Sequence, residues 1–481
     1  MQPLHCTLHG NATKKHKEEQ LQDFEGYHSE WNLGSPGGWD YQRLTQIIGR
    51  SIWRKINELS PVGIDLDFDH PLFFPVNAFV DMLAEVHRAR EGRNSGMIAV
   101  VAEEETLEDV TENKNLARHI SAIEGLEGNL MAPQELELKN GRVCYHGQPV
   151  SIIFMDFNTD VLLDLHRKHN LDPVIQAVRE KRVVNPRGTE PINVKSMFEV
   201  ISGQFQERFH PETVRRTPWT RQFYARQTLG PNGDSISDLI EWTRMNWDNL
   251  VLKPERGYSG KGVRVGQVNS DPDEAIALAL QEGNYIVQAK VPLPLWSEEI
   301  PVMVDDQIGI ETVQTDFRCL MGPSGIFGFL GRYGGVPTNV GSGGGVQPLA
   351  VLKSTVDVKT AAARINEAIM QIKPTDLKAV VAMQDAMAMA ENFTYLLGPI
   401  KIALRPRIMT ESQLDALARY GRQVWADCLT LEKMWLDGEL DHMVQIEEAE
   451  LEIARMQPWG GSPAIIASDG LFGFGAGTET A

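Results

Sequence analysis

The sequence predicts an α/β fold that is divided into several domains. The chain has 481 residues, and at roughly 150 residues per domain this length corresponds to about three domains. Between residues 75 and 186, stretches with helical spacing alternate with short apolar runs. The runs at 97–101 and 150–157 are almost continuously apolar, which is typical of strands buried on both faces of a parallel sheet. This region is therefore predicted to be an open α/β domain.

The composition is that of a globular protein, with 42% hydrophobic and 23% charged residues. The net charge of −19 argues against nucleic-acid binding, because an acidic surface repels a phosphate backbone. No apolar run is long enough to span a bilayer, and the N-terminal segment lacks the apolar core of a signal peptide. The four cysteines are far apart and form no CxxC pair, as expected in a reducing compartment. We expect a cytoplasmic protein without nucleic-acid or membrane partners.

The first half of the chain begins with a polar segment over residues 1–20, which predicts a flexible arm. Asn140-Gly141 lies between two alternating stretches and indicates a β-hairpin. The remaining patterns of this half predict helices at 41–59, 77–90, 113–124 and 162–178, the last broken at Pro173, and a third strand at 182–185.

The second half begins with a mixed region and ends mostly in helices. The patterns predict helices at 194–202, 235–246 and 273–281, strands at 249–254, 262–268 and 285–291, and further glycine-rich strands up to residue 350. From 355 to about 456 the pattern is nearly all helical, and 463–467 predicts a buried strand. The predicted divisions of the whole chain are 1–60, 61–186, 187–350 and 351–481.

A segment near the middle of the chain carries the strongest chemical signal. A strand ends near Lys253, and the loop after it contains Gly257, Gly260 and Gly262. Glycines allow close backbone approach, so that consecutive N–H groups can cradle phosphate oxygens beside the lysine charge. The pattern is not a Walker A loop, because Lys261 is followed by glycine rather than by serine or threonine. An ordinary glycine hairpin remains the alternative.

Two arginines fall on the two arms of a second expected hairpin. Arg318 lies in the motif DFR and Arg332 in the motif GR, with a turn at 322–325 between them. Both are candidates to bind an anion, and NVGSGGG further along is a candidate for a loop that faces a phosphate or acyl group. Taken alone, this stretch would more often mean a pair of surface arginines.

Taken together, these motifs resemble a known family. VLKPERGYSGKGV, YIVQAKV, DFR, GR and NVGSGGG occur in the order found in the ATP-grasp superfamily, and the part from DFR to GGG resembles glutathione synthetase. Upstream, RVVNPRGTEPINVKSMFEVIS resembles the exit of a pre-ATP-grasp domain into the nucleotide domain. The resemblance covers roughly residues 97–350. It implies the α+β ATP-grasp fold, with ATP and Mg²⁺ as cofactors.

The resemblance also implies roles for individual residues. The implied catalytic residues are Arg332, Arg318 and Asn339, and the implied acyl-phosphate seat also includes Gly343, Gly344 and Gly345. The residues implied to hold the nucleotide are Lys195, Lys253, Gly257, Tyr258, Ser259, Gly260, Lys261, Gly262, Gln288, Ala289, Lys290 and Val291.

The metal element of the family is missing from its usual place after the GGG loop. In the family it consists of an acidic residue on one strand and Glu-x-Asn on the next, which are hard oxygen ligands for Mg²⁺. Here Glu30-Trp31-Asn32 and Asp469 resemble these two strands, displaced to opposite ends of the chain. The displacement resembles circularly permuted ATP-grasp proteins, which carry the metal element ahead of the pre-ATP-grasp domain. This chain departs from them because its ends fall between the two metal strands. Asp23 is a rival third ligand, and Asp469 is preferred because PAIIAS is the better buried strand.

A shared metal site has a structural consequence. If Glu30, Asn32 and Asp469 hold the same ions, the two ends of the chain must meet as neighbouring antiparallel strands. Outside the family context, Glu30 and Asn32 would more often be a pair on a surface loop. Deleting residues from 463 onward is expected to abolish Mg²⁺-dependent catalysis and to leave most of the fold.

The function implied by the resemblance is ATP-dependent ligation of a small carboxylate, such as an amino acid or peptide, to an amine. The reaction would pass through an acyl phosphate and release ADP and phosphate. A phosphotransferase acting on a small molecule and a non-catalytic nucleotide-binding scaffold are the alternatives, and the presence of both lysines and both arginines argues against the scaffold. The formation of a homodimer is left as a possibility. In these terms 1–60 holds the arm and a metal strand, 61–186 the pre-ATP-grasp domain, 187–350 the nucleotide-binding region, and 351–481 the helices with the second metal strand.

Overall fold

The structure is a computed structural model that describes residues 23–257, 260–268, 271–304, 307–336, 338, 340, 343–395 and 398–477. The arm predicted over residues 1–20 lies outside the described residues, as do Tyr258, Ser259 and Asn339. Within the described ranges, no helix is both long enough and apolar enough to cross a bilayer.

The described chain has a mixed α/β fold. Its helices are α1 (Trp39–Leu59), α2 (Pro75–Glu91), α3 (Thr111–Ser121), α4 (Thr159–Lys168), α5 (Asp172–Arg179), α6 (Met197–Ser202), α7 (Pro211–Arg215), α8 (Leu239–Met245), α9 (Pro272–Glu282), α10 (Val358–Met370), α11 (Pro374–Ala390), α12 (Glu411–Leu436) and α13 (Glu448–Met456).

The strands form several sheets. They are β1 (Glu25–Asn32), β2 (Leu66–Asp67), β3 (Gly96–Val101), β4 (Leu126–Met131), β5 (Leu136–Lys139), β6 (Arg142–Tyr145), β7 (Gln148–Met155), β8 (Val183–Val184), β9 (Thr220–Gln222), β10 (Thr228–Leu229), β11 (Ser235–Ile236), β12 (Leu250–Pro254), β13 (Arg264–Val265), β14 (Tyr285–Ala289), β15 (Ser297–Val304), β16 (Gln307–Gly322), β17 (Gly325–Gly334), β18 (Gly345–Gln347), β19 (Leu349–Leu352), β20 (Thr394–Tyr395), β21 (Gly398–Pro399), β22 (Lys401–Ile402), β23 (Arg407–Met409) and β24 (Ile466–Gly473).

The predicted open α/β domain is present. Its sheet has the order β4-β3-β7-β6-β5, with β8 also paired to β7, and β3 is parallel to both β4 and β7. The hairpin at Asn140-Gly141 joins β5 to β6, and both residues have positive φ, as a tight hairpin turn requires. The sequence analysis missed β4, because this edge strand carries the polar residues Glu127 and Asn129 and so lacks an apolar run.

The large sheet combines strands from both ends of the chain. Its order is β1-β24-β16-β17-β18-β22, with β15 also paired to β16. The strand predicted at 463–467 instead begins at Ile466 and runs to Gly473, because its ladders with β1 and β16 continue past the apolar run. This strand lies inside the sheet, between β1 and β16.

One face of the large sheet is covered by α12. Phe317 and Cys319 of β16 are buried there with Leu417 and Tyr420 of α12. The α/β domain packs elsewhere on the same sheet, where Ala467 of β24 belongs to a buried cluster with residues of α1, α2 and β3. The polar residues that alternate with this core are left on the other face of the sheet.

A smaller sheet, β13-β12-β14-β9, holds the predicted glycine loop. The strand expected at 262–268 is reduced to β13, because the backbone turns away after pairing with two residues of β12. The helix expected at 235–246 begins later, at Leu239, because the Asp238 side chain caps it by accepting hydrogen bonds from two backbone N–H groups.

The region 355–456 is less helical than predicted. Helices α10 to α13 are present, but the chain between α11 and α12 forms the short strands β20 to β23. β22 adds to the large sheet beside β18, and β23 joins a three-stranded sheet with β19 and β2. Such brief strands are made by pairing with distant segments, so local periodicity does not reveal them.

Candidate active site

The two ends of the chain meet in the large sheet. β1 pairs antiparallel with β24, with Glu30 opposite Asp469, and β24 pairs antiparallel with β16, with Asp469 opposite Arg318. Residues that face each other across antiparallel strands lie on the same face of a sheet. Glu30, Asp469 and Arg318 therefore form a row on one face. The antiparallel pairing expected for the two terminal strands is present.

Further polar residues lie on this face because side chains two positions apart on a strand point the same way. Asn32 follows Glu30 on β1, and Asp316 precedes Arg318 on β16. Asp316 lies opposite Arg332 of β17. We call the set Glu30, Asn32, Asp316, Arg318, Arg332 and Asp469 the polar face.

The two arginines bind the carboxylates of the polar face. Arg318 donates to both oxygens of Asp469, at 2.6 Å from Nε and 2.7 Å from Nη2, and Arg332 Nη2 donates to Oδ2 at 2.9 Å. Arg332 also binds both oxygens of Asp316 at 2.7 Å, and Thr338 donates to Asp316 at 2.8 Å. Burial alone would raise the pKa of Asp469, but the charges of the two arginines lower it to about 2.

The two predicted phosphate lysines lie beside Glu30. Lys195 Nζ is 3.6 Å from Glu30 Oε1 and donates to the backbone oxygen of Gly257 at 3.3 Å. Lys253 Nζ donates to the backbone oxygen of Ser29 at 3.1 Å and to Gln288 Oε1 at 2.8 Å. Burial lowers the pKa of Lys253 to about 8, although the charge of Glu30 acts in the opposite direction. Lys195 and Lys253 thus lie close to β1.

The glycine loop starts next to this cluster. Gly257, Gly260 and Gly262 all have positive φ, at 140°, 71° and 75°. A Cβ at Gly262 would lie 2.9 Å from the Tyr285 hydroxyl, so a larger side chain does not fit there. Lys261 is exposed, which places its charge at the loop surface.

The predicted adenine segment 288–291 begins in the last two residues of β14, and hydrogen bonds hold it to the rest of the protein. Gln288 is buried, and its amide donates to Thr220 Oγ1 at 3.0 Å while it accepts from Lys253. The backbone N–H groups of Ala289 and Lys290 donate to carbonyl oxygens at 2.8 Å. These hydrogen bonds fix the position of the segment, and its last residue, Val291, is buried.

The predicted acyl-phosphate loop lies against the strand that carries Arg332. Gly344 lies so close to Gly334 that a Cβ added to Gly334 would be 3.0 Å from the Cα of Gly344. Gly345 pairs with Tyr333 and Lys401, and a Cβ there would be 2.6 Å from the Tyr333 ring. Gly343 has φ of 90°.

A cleft lies between the end of β1 and Lys195. Its lining includes Glu30, Asn32, Lys195 and Gly257, and on the side of the α/β domain Asn158. The structure therefore brings Glu30, Asn32 and Lys195 to one cleft. Asp469 lies opposite Glu30 in the adjoining sheet, and Lys253 contacts the backbone of Ser29 next to it.

The rival ligand Asp23 is placed elsewhere. It lies 3.5 Å from Arg216 and 3.8 Å from Arg215, before the opposite end of β1. At about 3.3 Å per residue, the seven positions between Asp23 and Glu30 correspond to about 20 Å. Asp23 is thus too far from Glu30 to share an ion with it.

Sequence reasoning missed the contacts of the loop after β1, residues 33–38, which we call the 33–38 loop. Its Ser35 donates to Asp156 Oδ1 at 2.6 Å, and Asn113 donates to Oδ2 of the same carboxylate at 2.6 Å. The Gly37 carbonyl accepts from Arg318 at 2.8 Å, and the Gly38 N–H donates to the Glu112 carboxylate. The signal for Asp156 was its place directly after a buried parallel strand, where ligands bind in open α/β sheets.

The oxygen atoms in and beside the cleft are of the kind that Mg²⁺ prefers, and those of Asp469 are bound in this structure by Arg318, Arg332 and the Asn32 amide nitrogen. Glu30 and Asp469 provide carboxylate oxygens and Asn32 an amide oxygen, which are hard ligands. In the described part of the chain, no three His, Cys, Asp or Glu side chains form a group that could hold a metal by themselves. An ion at Glu30 and Asp469 would thus depend on further oxygen ligands, such as an amide, water or phosphate oxygens.

Comparisons with known proteins give matches in structure only. No family model matches the chain, and no curated protein matches it in sequence. The chain is similar to the crystal structure of the macrocyclase MdnC bound with precursor peptide MdnA from Microcystis aeruginosa MRC, with a TM-score of 0.30 and 10% identity, covering 60% of this chain and 84% of that chain. It is also similar to a RimK domain protein ATP-grasp from Sphaerobacter thermophilus DSM 20745, with a TM-score of 0.25 and 15% identity, covering 58% of this chain and 99% of that chain.

Proposed function

We propose that this chain is a circularly permuted ATP-grasp ligase that joins a small carboxylate to an amine. The observation that carries the proposal is the pairing of β1 with β24, which sets Glu30 opposite Asp469 and beside Lys195. These residues come from three distant parts of the chain. The two carboxylates are suited to bind the metal ions of a nucleoside triphosphate, and the lysine is suited to bind its phosphates.

In this proposal the lysines and the glycine loop bind the phosphates of ATP. Lys195 and Lys253 supply two positive charges at the cleft, and the loop from Gly257 to Gly262 closes over the nucleotide with its backbone N–H groups. The segment 288–291 lies beside the adenine. Mg²⁺ held by Glu30, Asn32 and Asp469 would neutralise charge on the phosphate oxygens.

The arginines act on the reacting groups. The substrate carboxylate attacks the γ-phosphorus, the bond to the β-phosphate oxygen breaks, and ADP leaves. Arg318 and Arg332 are proposed to bind the anions of this step, because the planar guanidinium group suits the bidentate binding of phosphate or carboxylate. The amine then attacks the acyl carbon, phosphate leaves, and the nitrogen gives up a proton. Asn339 and the glycines at 343–345 are proposed to seat the acyl phosphate.

The experiment that tests this proposal compares two carboxylates of β1. Glu30→Gln removes the charge in the cleft, whereas Glu25→Gln makes the same change at the exposed far end of the strand. With amino acids, short peptides and amines as substrates, we expect Glu30→Gln to lower ADP release by about 100-fold or more, and Glu25→Gln to leave it unchanged.

The products distinguish ligase from phosphotransferase. A ligase releases free phosphate, and added hydroxylamine traps its acyl phosphate as a hydroxamate. A stable phosphorylated product would instead identify a phosphotransferase. Failure of the parent chain to bind any ATP analogue would refute the proposal.

A further inference from the structure

We propose a cation subsite at Asp156, Asn113 and Glu103, where an ammonium group of the amine substrate binds. This inference rests on the proposed ligase function and specifies its amine substrate, which carries a positively charged group besides the amine that reacts. The subsite lies at the carboxyl ends of the parallel strands β3 and β7, which is where open α/β sheets bind ligands.

The acceptor geometry of Asp156 suits an ammonium group. Each oxygen of this carboxylate accepts one hydrogen bond among the described residues, from Ser35 and from Asn113, both at 2.6 Å. A carboxylate oxygen has two lone pairs, so each oxygen can accept one more hydrogen bond. Asp156 also remains partly accessible. Two acceptor positions are therefore left for a ligand.

Asn113 supplies independent evidence for a missing donor. Its side chain is only 1% exposed, and its Oδ1 is buried without a hydrogen-bond partner among the described residues. Because the nitrogen of the same amide binds Asp156, this oxygen lies within roughly 5 Å of that carboxylate. A buried acceptor without a donor costs free energy. With the two positions on Asp156 it makes three acceptors, and an ammonium group has three donors.

The surroundings favour a positive charge. The pKa of Glu103 is raised by its burial and by the neighbouring charges of Glu105, Asp156 and Asp160, which outweigh the opposing charge of Lys168. Asp160 is partly compensated by Arg256 at 3.6 Å. The carboxylates are close enough to influence one another, so a cation bound at Asp156 would be attracted by more than one of them.

The subsite is connected to the polar face through the 33–38 loop. Ser35 of this loop contacts Asp156, and Gly37, two residues later, contacts Arg318. Two residues span at most roughly 7 Å. Tyr395 interacts electrostatically with both Asp156 and Arg318, so it lies near both side chains. One substrate can therefore place an ammonium group at Asp156 and its nucleophile near the arginines.

The test measures binding rather than turnover, with the full chain and butane-1,4-diamine as the probe. Titration calorimetry compares this diamine with the neutral butane-1,4-diol, with and without a non-hydrolysable ATP analogue. The variants are Asp156→Asn, which keeps the shape and removes the charge, and Asn113→Ala, which removes the buried acceptor. The matched control is Glu124→Gln, which removes an exposed charge before β4, at the opposite end of the same parallel strands.

We expect the diamine to bind and the diol not to bind. Asp156→Asn should weaken diamine binding by at least about tenfold, Asn113→Ala should weaken it as well, and Glu124→Gln should change it less than about twofold. Equal binding of the diol, or unchanged diamine binding in a folded Asp156→Asn variant, would overturn the inference. If Asp156→Asn does not fold, unchanged binding in Asn113→Ala overturns it instead.

The ATP analogue separates this inference from the proposed function. If the analogue binds but the diamine does not, the subsite is refuted and the ligase proposal stands. If the diamine binds through Asp156 but no ATP analogue binds, the cation subsite is supported and the ligase proposal fails.

Discussion

The carboxylate of Asp469 accepts two hydrogen bonds from the guanidinium group of Arg318, at 2.6 and 2.7 Å, although the residues are 151 positions apart. They lie directly opposite each other on β24 and β16. Because Asp469 is also bound by Arg332, the polar face is held together before any ligand arrives. In the proposed reaction, Mg²⁺ bound to Asp469 would take the place of the arginines, and Arg318 and Arg332 would then be free to bind the substrate anions.

Asp469→Asn should destabilise the fold strongly. The change leaves two arginines of the polar face without their shared negative charge, and breaking a buried ion pair in this way costs about 3–5 kcal/mol. Urea unfolding of the variant measures this cost. Asp385→Asn removes an exposed carboxylate of α11 and should change the free energy of unfolding by less than about 0.5 kcal/mol. Similar values for the two variants would contradict the network described here.

The stabilising effect of Asp469 should be lost in acid. Its pKa is lowered from 3.8 to about 2 in the folded chain, so its contribution is complete above about pH 4 and falls as the pH drops towards 2. The shift corresponds to about 2 kcal/mol. The difference in free energy of unfolding between the parent chain and Asp469→Asn should shrink by this amount over that range. A constant difference would show that Asp469 is not held by the arginines.

Arg332→Lys should be nearly as inactive as Arg332→Ala. Arg332 binds both oxygens of Asp316 and one of Asp469 at once, and an ammonium group cannot reproduce this planar fork. ADP release measures the loss, while binding of an ATP analogue should be largely kept. Arg419→Lys on the exposed side of α12 is the matched control and should be fully active. If Arg332→Lys kept most of the activity, Arg332 would act only through its positive charge and not through its planar geometry.

ATP binding should weaken above about pH 8. The pKa of Lys253 is lowered to about 8 in the free chain, so the lysine loses its charge in that range, and binding of phosphate then requires uptake of a proton. We expect the affinity for a fluorescent ATP analogue to fall by up to about tenfold per pH unit between pH 8 and 10. Lys253→Gln should bind weakly and lack this pH dependence. Lys433→Gln, on the exposed side of α12, should retain it.

Deletion of residues from 463 onward should unfold the large sheet. The sequence analysis expected most of the fold to survive this truncation, but β24 lies inside the sheet and pairs with both β1 and β16. Ile466, Ala467 and Phe472 are also fully buried. Circular dichroism and solubility of the truncated chain test this expectation. A folded, cooperative truncated chain would show that β24 is dispensable, so point variants are the better test of the metal site.

Local patterns were sufficient for the long helices and for the buried strands β3 and β7. The pairing of the terminal strands was expected from the missing metal element, not from any local pattern. The structure revised the strand at 262–268, the start of α8 and the helical region before α12. In each case the decisive contact is distant or is a single capping side chain, neither of which produces an apolar period.

The sequence by itself determined which residue types alternate along each strand, and so placed Glu30 with Asn32 and Asp316 with Arg318 on common faces. Only the tertiary structure decided which strands are neighbours and in which register. That choice set Asp469 opposite both Glu30 and Arg318, and it brought Asp156 to the 33–38 loop. The physical reason is that alternation is a property of one strand, whereas register depends on packing and hydrogen bonding between segments far apart in the chain.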